Sequence, residues 1–218
     1  MDSLVHRLRA RTMELHRQAE RSGVVAALLR GRVSVAAYAV YLRNLLPAYQ
    51  AMEQALRHRR NQPLLAELAL PALYRAEAIV ADLGHLAGPG WAVSVPLLPS
   101  GQRYADRLTW AASGDGMMLI AHCYTRYLGD LSGGQILGRR LASLFGADFP
   151  ALAFTHFSNI GNVRAFAAIY RAALDRTGAW LADATPVVEE AAVAFQNNID
   201  ISNDIDGDQA SFAEIPAA

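Results

Sequence analysis

The stretch Ala121-His122-Cys123-Tyr124-Thr125-Arg126-Tyr127-Leu128-Gly129-Asp130-Leu131-Ser132-Gly133-Gly134-Gln135 decides how the rest of the chain is read. Helix-forming sequence flanks it on both sides, yet Gly129, Gly133 and Gly134 fall close together within it. Each interior glycine costs a helix about 1 kcal/mol relative to alanine. Regular helical spacing puts Arg126, Gly129, Asp130 and Gly133 at i, i+3, i+4 and i+7, on one face. That face combines missing side chains with one guanidinium and one carboxylate. Missing side chains let a backbone lie almost flush against something broad and flat, and a carboxylate beside such a platform can organise water at a reacting centre. A close helix–helix crossing is the competing reading, since small residues are common there too, and spacing alone does not separate the two.

Outward from this block, nearly every segment repeats at period 3.6 and none alternates convincingly as a strand, so the chain reads as all-α. Leu4, Leu8, Thr12, Leu15 and Ala19 form the stripe of a first amphipathic helix that stops near Ser22-Gly23, and a short helix follows to Gly31. Ser34 is a candidate N-cap for a long helix through Arg60, kinked at Pro47. Pro71 opens the next predicted helix, which runs to about Leu86 before Gly88-Pro89-Gly90. Residues 91–99 read as a loop, Ser100 as the cap of a helix to about Ala112, and 117–145 as one long glycine-interrupted helix. Asp148 to Ser158 is irregular or partly helical, and helices fit 160–176 and 186–203. Residues 1–203 are expected to form a single multi-helix domain. Residues 204–218 read as a frayed acidic tail with too little apolar surface to offset chain entropy.

Bulk composition narrows the function classes. The 218 residues are 53% apolar and 18% charged, enough for one substantial core. Twenty basic residues balance twenty acidic ones, so neither nucleic acid nor an anionic membrane is an indicated partner. Every basic residue is arginine, which excludes Schiff-base chemistry on a lysine. The single cysteine, Cys123, precludes an intrachain disulfide and suits a reducing compartment. No secretory leader, membrane-spanning run or C-terminal anchor is visible, so a cytoplasmic protein is expected.

Six histidines are present, and five have simple structural readings. His6 is near a terminus, His58 sits in the basic run Arg57-His58-Arg59-Arg60, His85 lies at a helix end, His122 can pack within its helix, and His156 falls in an aromatic-rich loop. His16 lies beside the apolar stripe of the first helix, where a histidine is either a satisfied core residue or a ligand. Glu20, one turn on, can hold the ring, as acceptors commonly hold metal-bound histidines. Arg9 lies two turns back, about 10 Å along the axis, a reach that suits an anionic group at the edge of a ligand centred on His16. A helix bearing histidine and arginine opposite a glycine platform makes a slot for a flat, metal-bearing, anionic molecule. Haem meets those requirements through its iron, its propionates and its apolar faces.

The block Ala121–Gln135 resembles the signature of the haem oxygenase family, and similarity extends over roughly residues 4 to 203. It takes in Leu15-His16-Arg17-Gln18-Ala19-Glu20, Tyr49 to Leu56, Tyr170-Arg171, and Ala194-Phe195 with Asn198. The resemblance implies a helical bundle holding haem b between a proximal and a kinked distal helix. Haem there is both substrate and cofactor, opened to biliverdin, carbon monoxide and ferrous iron. Dioxygen and electrons from a separate ferredoxin or flavoprotein reductase are consumed, with no protein-bound flavin. By the same match His16 is the iron ligand, Glu20 its hydrogen-bond partner, and Asp130 the distal carboxylate that orders water, with Tyr49 and Arg126 in its network. Gly129 and Gly133 match glycines whose backbone touches haem, Phe195 a residue of the pocket, and Arg9, Tyr124 and Arg171 propionate contacts. A uniform helical wheel would put Tyr124 away from the Gly129/Gly133 face, so its placement requires a bend.

The chain also departs from the family pattern. Ala167 stands where many relatives have a second basic residue, Pro47 precedes Tyr49 within its helix, and Asn197-Asn198-Ile199-Asp200 is polar for a pocket wall. Arg57–Arg60 and Arg139-Arg140 are candidate docking patches for an acidic electron donor, or simply solvated helix surface. A haem-binding or haem-delivery protein without turnover is the alternative function. A di-iron centre would need Glu-x-x-His pairs that the sequence lacks.

Overall fold

Two serines begin the helices that the sequence marks most clearly. In the computed structural model, which describes residues 2–206, Ser3 Oγ accepts the His6 amide at the start of α1 (Leu4–Ala19). Ser34 Oγ likewise accepts the Ala37 amide and opens α3 (Val35–Arg59). Caps of this kind contribute about 1 kcal/mol each. Between them α2 (Gly23–Leu29) turns at Gly23, whose φ is +30° and where any Cβ would collide with the Ser202 backbone. Glycine alone lets this turn lie against the last helix.

α3 forms the centre of the molecule. Tyr38, Leu42, Leu45, Tyr49, Met52 and Leu56 are all buried along it, and it packs against α4 (Ala76–Ala87) and α6 (Pro99–Ala111). The helix runs unbroken through Pro47. On the other side α1 turns Leu4, Leu8 and Thr12 inward along α10 (Thr185–Asp206), while α9 (Val163–Gly178) completes that wall behind an Asn162 cap. Among the described residues there is no strand, so the all-α reading holds.

Several boundaries differ from expectation. The helix predicted from Pro71 starts at Ala76, and Pro71–Leu73 is only a 3-10 turn. The stretch read as a loop contains the short α5 (Trp91–Ser94). Ser100 does not cap α6; Pro99 occupies its first turn, as fixed φ favours, and Ser100 is buried inside it. α10 continues past Asn203 to Asp206, because Ile201 and Ile205 reach the core and supply the apolar surface that the polar spelling conceals. The frayed-tail reading is thus wrong for 204–206, and 207–218 lie outside the described residues.

The decisive stretch is not a regular α-helix either. α7 (Leu119–Cys123) passes into two π-helical windings, Tyr124–Leu128 and Asp130–Gly134, before α8 (Gln135–Phe145) resumes α geometry. The i→i+5 bonding of a π winding places more residues in each turn than the 3.6 of an α-helix, so the faces drift from those of the wheel.

Candidate functional site

That drift sorts the glycine block into two sides. Arg126 and Asp130, expected on one face with Gly129 and Gly133, are instead buried behind the helix. Gly129, Gly133, Leu128, Ser132 and Tyr124 face a cleft of about 490 Å³. The five-residue step from Tyr124 to Gly129, which an α wheel would carry to another face, fits a π winding, and the four-residue step from Gly129 to Gly133 fits either.

The opposite wall of the cleft is α1. Val5, Arg9, Thr12, Met13, His16 and Arg17 line it, and Arg171 from α9 and Phe195 from α10 close its ends. His16 has a side chain 58% exposed, so it is not a packed core histidine. Its ring lies 5.9 Å from that of Phe195, and its Nδ1 stands 3.6 Å from Glu20 Oε1, which leaves Nε2 free to serve the cleft. Tyr124 Oη lies 3.4 Å from Thr12 Oγ1, a contact that spans the two walls. A Cβ added to Gly129 or Gly133 would meet nothing within 4 Å. The glycines are therefore not required by a neighbouring helix, and the helix-crossing reading fails at these two positions. At Gly138, beyond the block, a Cβ would lie 2.7 Å from Thr155 Oγ1, so close packing against the Ala153–Thr155 turn does call for a glycine there.

Behind the glycine strip the polar groups form a closed set. Tyr49 Oη donates to Asp130 Oδ2 at 2.5 Å and accepts from Arg126 Nε and Nη2 at 2.8 and 2.6 Å. Arg126 Nη2 also reaches Asp130 Oδ1 at 3.3 Å, and Nη1 donates to Asn198 Oδ1. Burial raises the Asp130 pKa, against the pull of the Arg126 charge and the Tyr49 bond. Burial likewise pushes the Tyr49 phenol well up, so it stays a donor. Pro47 has not displaced Tyr49 from these partners. The polar spelling of α10 also finds its reason, since Asn198 faces Arg126.

The arrangement brings Arg9, His16, Tyr124, Gly129, Gly133, Arg171 and Phe195 to one cleft. Glu20 stands beside His16 outside the lining, and Tyr49, Arg126 and Asp130 form the set behind it. Sequence reasoning missed Val5, Thr12, Met13, Arg17, Thr125, Leu128 and Ser132 as cleft residues. Those on α1 follow the helical repeat from Arg9 and His16 and were legible. Those on the distal stretch were not, because its winding departs from 3.6. Ala167 is buried and contributes no charge.

The fold is shared with solved structures of one class, the heme oxygenases. A crystal structure of heme oxygenase-1 from the cyanobacterium Synechocystis sp. in complex with heme superposes with a TM-score of 0.90 at 34% identity, covering 96% of this chain and 95% of that one. Heme oxygenase from Leptospira interrogans gives 0.85 at 30% identity, covering 93% and 100%. "Heme oxygenase 1" of Synechocystis sp. is 35% identical over 205 residues, 94% of this chain and 85% of that protein, and "Heme oxygenase 1" of Homo sapiens is 34% identical over 203 residues, 91% and 70%. The family model described as heme oxygenase matches residues 2–204, and the chain belongs to the heme oxygenase family, whose members degrade haem. No helix among the described residues is long and apolar enough to cross a membrane.

Proposed function

We propose that this protein is a haem oxygenase that opens haem b to biliverdin, carbon monoxide and ferrous iron. The observation that carries the reading is the cleft itself: an exposed imidazole on one wall, open space over two glycines on the other, and arginines at its rim. The donor set fits an iron porphyrin. His16 would hold the iron through Nε2, with Glu20 orienting the ring. Arg9 and Arg171, with Tyr124, receive the propionates, and the bare backbone at Gly129 and Gly133 accepts a flat face.

Bound haem supplies the iron and the electron-rich ring at which dioxygen and reducing equivalents are used. The chain's own contribution is positional and protonic. Asp130 acts through water: its Oδ2 is engaged by Tyr49, while its Oδ1 has only a long contact with Arg126 and retains acceptor capacity for a water at the glycine strip. Arg126 holds that carboxylate and Tyr49 in register, so a proton can be drawn from solvent through Asp130 Oδ1 without the carboxylate touching iron. Leu128 and Phe195 keep the rest of the cleft apolar. Electrons come from a separate donor, a ferredoxin or flavoprotein reductase, and no flavin is held by this chain. Exposed Arg57, Arg60, Arg139 and Arg140 offer charge to an acidic donor. The buried lone thiol of Cys123 suits work in the cytoplasm.

Haem storage or delivery would use His16 and the rim arginines but has no need for the buried set around Asp130, which favours turnover. Mixing the protein with hemin and ascorbate, or ferredoxin with its reductase, tests the reading. The Soret band should form and then decay into the absorption of biliverdin. A stable haem complex that never yields biliverdin with either donor would establish the delivery reading instead.

A further inference from the structure

A second cavity, of about 440 Å³, shares no lining residue with the haem cleft and takes no part in the reaction proposed above. It lies among the end of α3, the Pro71–Leu73 turn and the start of α4, and its walls are rich in donors. Arg57 and Arg60 stand three residues apart at the end of α3, both exposed and on one face. The Arg57 guanidinium lies over the Tyr74 ring, 4.8 Å from its centroid, which holds it at the cavity. Its ion-pair contact, Glu53 Oε2, is 3.6 Å from Nη2, longer than a hydrogen bond. Glu77 is the one carboxylate in the lining, set against the guanidinium groups of Arg57, Arg60 and Arg75.

Arg75 is the telling residue. It is only 7% exposed, yet it lines the cavity. Its guanidinium donates to the carbonyls of Leu73, Ala72, Ala153 and His156, the last at 2.7 Å, and lies over the Phe157 ring. Every one of those acceptors is neutral, and no carboxylate among the described residues is in ion-pair contact with it. Burying a cation is costly unless an anion answers it. The bonds to carbonyls explain why an arginine sits there, but they leave its charge to be answered from the cavity. The start of α4 points the same way. Glu53 accepts the Arg75 and Ala76 amides, and the Ile79 amide bonds the Arg75 carbonyl. The Glu77 and Ala78 amides between them have no acceptor among the described residues, and both residues line the cavity.

We propose that this cavity binds a small phosphate-class oxyanion through Arg57, Arg60 and Arg75, with the Tyr74 hydroxyl and the start of α4 completing the donor set. Guanidinium forks match phosphate oxygens in pairs, which a point charge cannot do. The volume is that of a small-molecule pocket, so it admits a compact anionic group and not the flat face of a protein. Free phosphate and a phosphoryl group carried on a larger molecule offer the same chemistry to these residues.

Calorimetric titration of the haem-free protein with inorganic phosphate, at an ionic strength held constant with chloride, tests this. One saturable site is expected, and the Nε–H resonances of Arg57 and Arg75 should shift along the same curve. Arg57→Gln and Arg60→Gln should each weaken the site about tenfold, the loss expected of one charge-assisted bond, and Glu77→Gln should tighten it. All three positions are exposed, so the variants should keep the wild-type circular dichroism spectrum. Glycerol phosphate binding as inorganic phosphate does would support a small-molecule source. Binding only to phosphatidylcholine vesicles that carry phosphatidic acid, lost in the same variants, would support a lipid headgroup as the source. The titration should be unchanged with hemin bound. Competition by hemin would mean that the anion had entered the haem cleft, and would overturn the proposal. A response no different from that to chloride, or a site undisturbed in the folded double variant of Arg57→Gln and Arg60→Gln, would overturn it as well. Neither result bears on haem turnover, which uses other residues.

Discussion

Truncating His16 to alanine removes the only histidine that lines the cleft among the described residues. Hemin added to His16→Ala should lack the imidazole-ligated optical spectrum, and exogenous imidazole should restore it; a wild-type spectrum without imidazole would move the ligand elsewhere. Asp130 is tested by separating binding from turnover. Because it lies behind the glycine strip, Asp130→Asn should titrate with hemin as the wild type does. Its biliverdin formation should nevertheless fall about 100-fold or more, as expected when a positioned proton-transfer group is lost. Wild-type-like Soret decay in that variant would remove Asp130 from the reaction. Both residues were legible in the sequence for different reasons. His16 stood out by its place beside an apolar stripe, Asp130 by its place among glycines. That Asp130 is buried behind the strip was not, and its bond to Tyr49, 81 positions away, was expected from the family resemblance alone.

At the scale of single elements, the distal stretch separates two kinds of glycine. Gly129→Ala and Gly133→Ala should leave thermal stability unchanged or raise it by up to about 1 kcal/mol each, since the added methyl meets open space and alanine favours helix. The same variants should weaken hemin binding. Gly138→Ala should instead destabilise the fold by about 1–3 kcal/mol, because its methyl presses on Thr155. Thermal denaturation with and without hemin distinguishes the three.

The start of α4 gives a pH-dependent case. No side chain of its own caps that helix; Glu53 of α3 accepts the Arg75 and Ala76 amides from across the core. Burial pushes the Glu53 pKa from 4.5 up to about 7, against those two bonds and Arg57. A pKa raised on folding adds stability that is complete below the unfolded value and is lost as pH climbs through the folded one. Between about pH 4.5 and 7 the wild type should therefore lose up to about 3 kcal/mol that Glu53→Gln does not. The difference between their Tm values across that window is the measurement, and a constant difference would refute it. This remote cap is also why the helix begins at Ala76 and not at Pro71. Local signals favour the proline, and only the folded chain brings Glu53 to the later amides.

The whole molecule responds to ligand by mass action. A cleft built between α1, the π windings, α9 and α10 exists only in the folded state, so hemin at about 100 times its dissociation constant should add about 2.7 kcal/mol of stability. A chain of this size gains about 2–4 °C in Tm per kcal/mol, so a rise of several degrees is expected by calorimetry. His16→Ala should lose much of it. A hemin-independent Tm would mean that the cleft does not close on haem.

The sequence by itself determined the all-helical class, the burial stripe of α1, the family and the identity of half of the cleft residues, because these depend on local periodicity and on residue chemistry that survives any packing. Tertiary structure decided what local rules cannot reach. It wound the glycine block into π turns, which swing Tyr124 into the cleft and Asp130 behind it. It drew α10 past Asn203 by giving Ile205 a core to enter. It matched Glu53 to a helix start and Asn198 to Arg126 across long separations. A hydrogen bond between distant residues leaves no periodic trace in either segment, and a π winding appears only when the neighbours that stabilise it are in place.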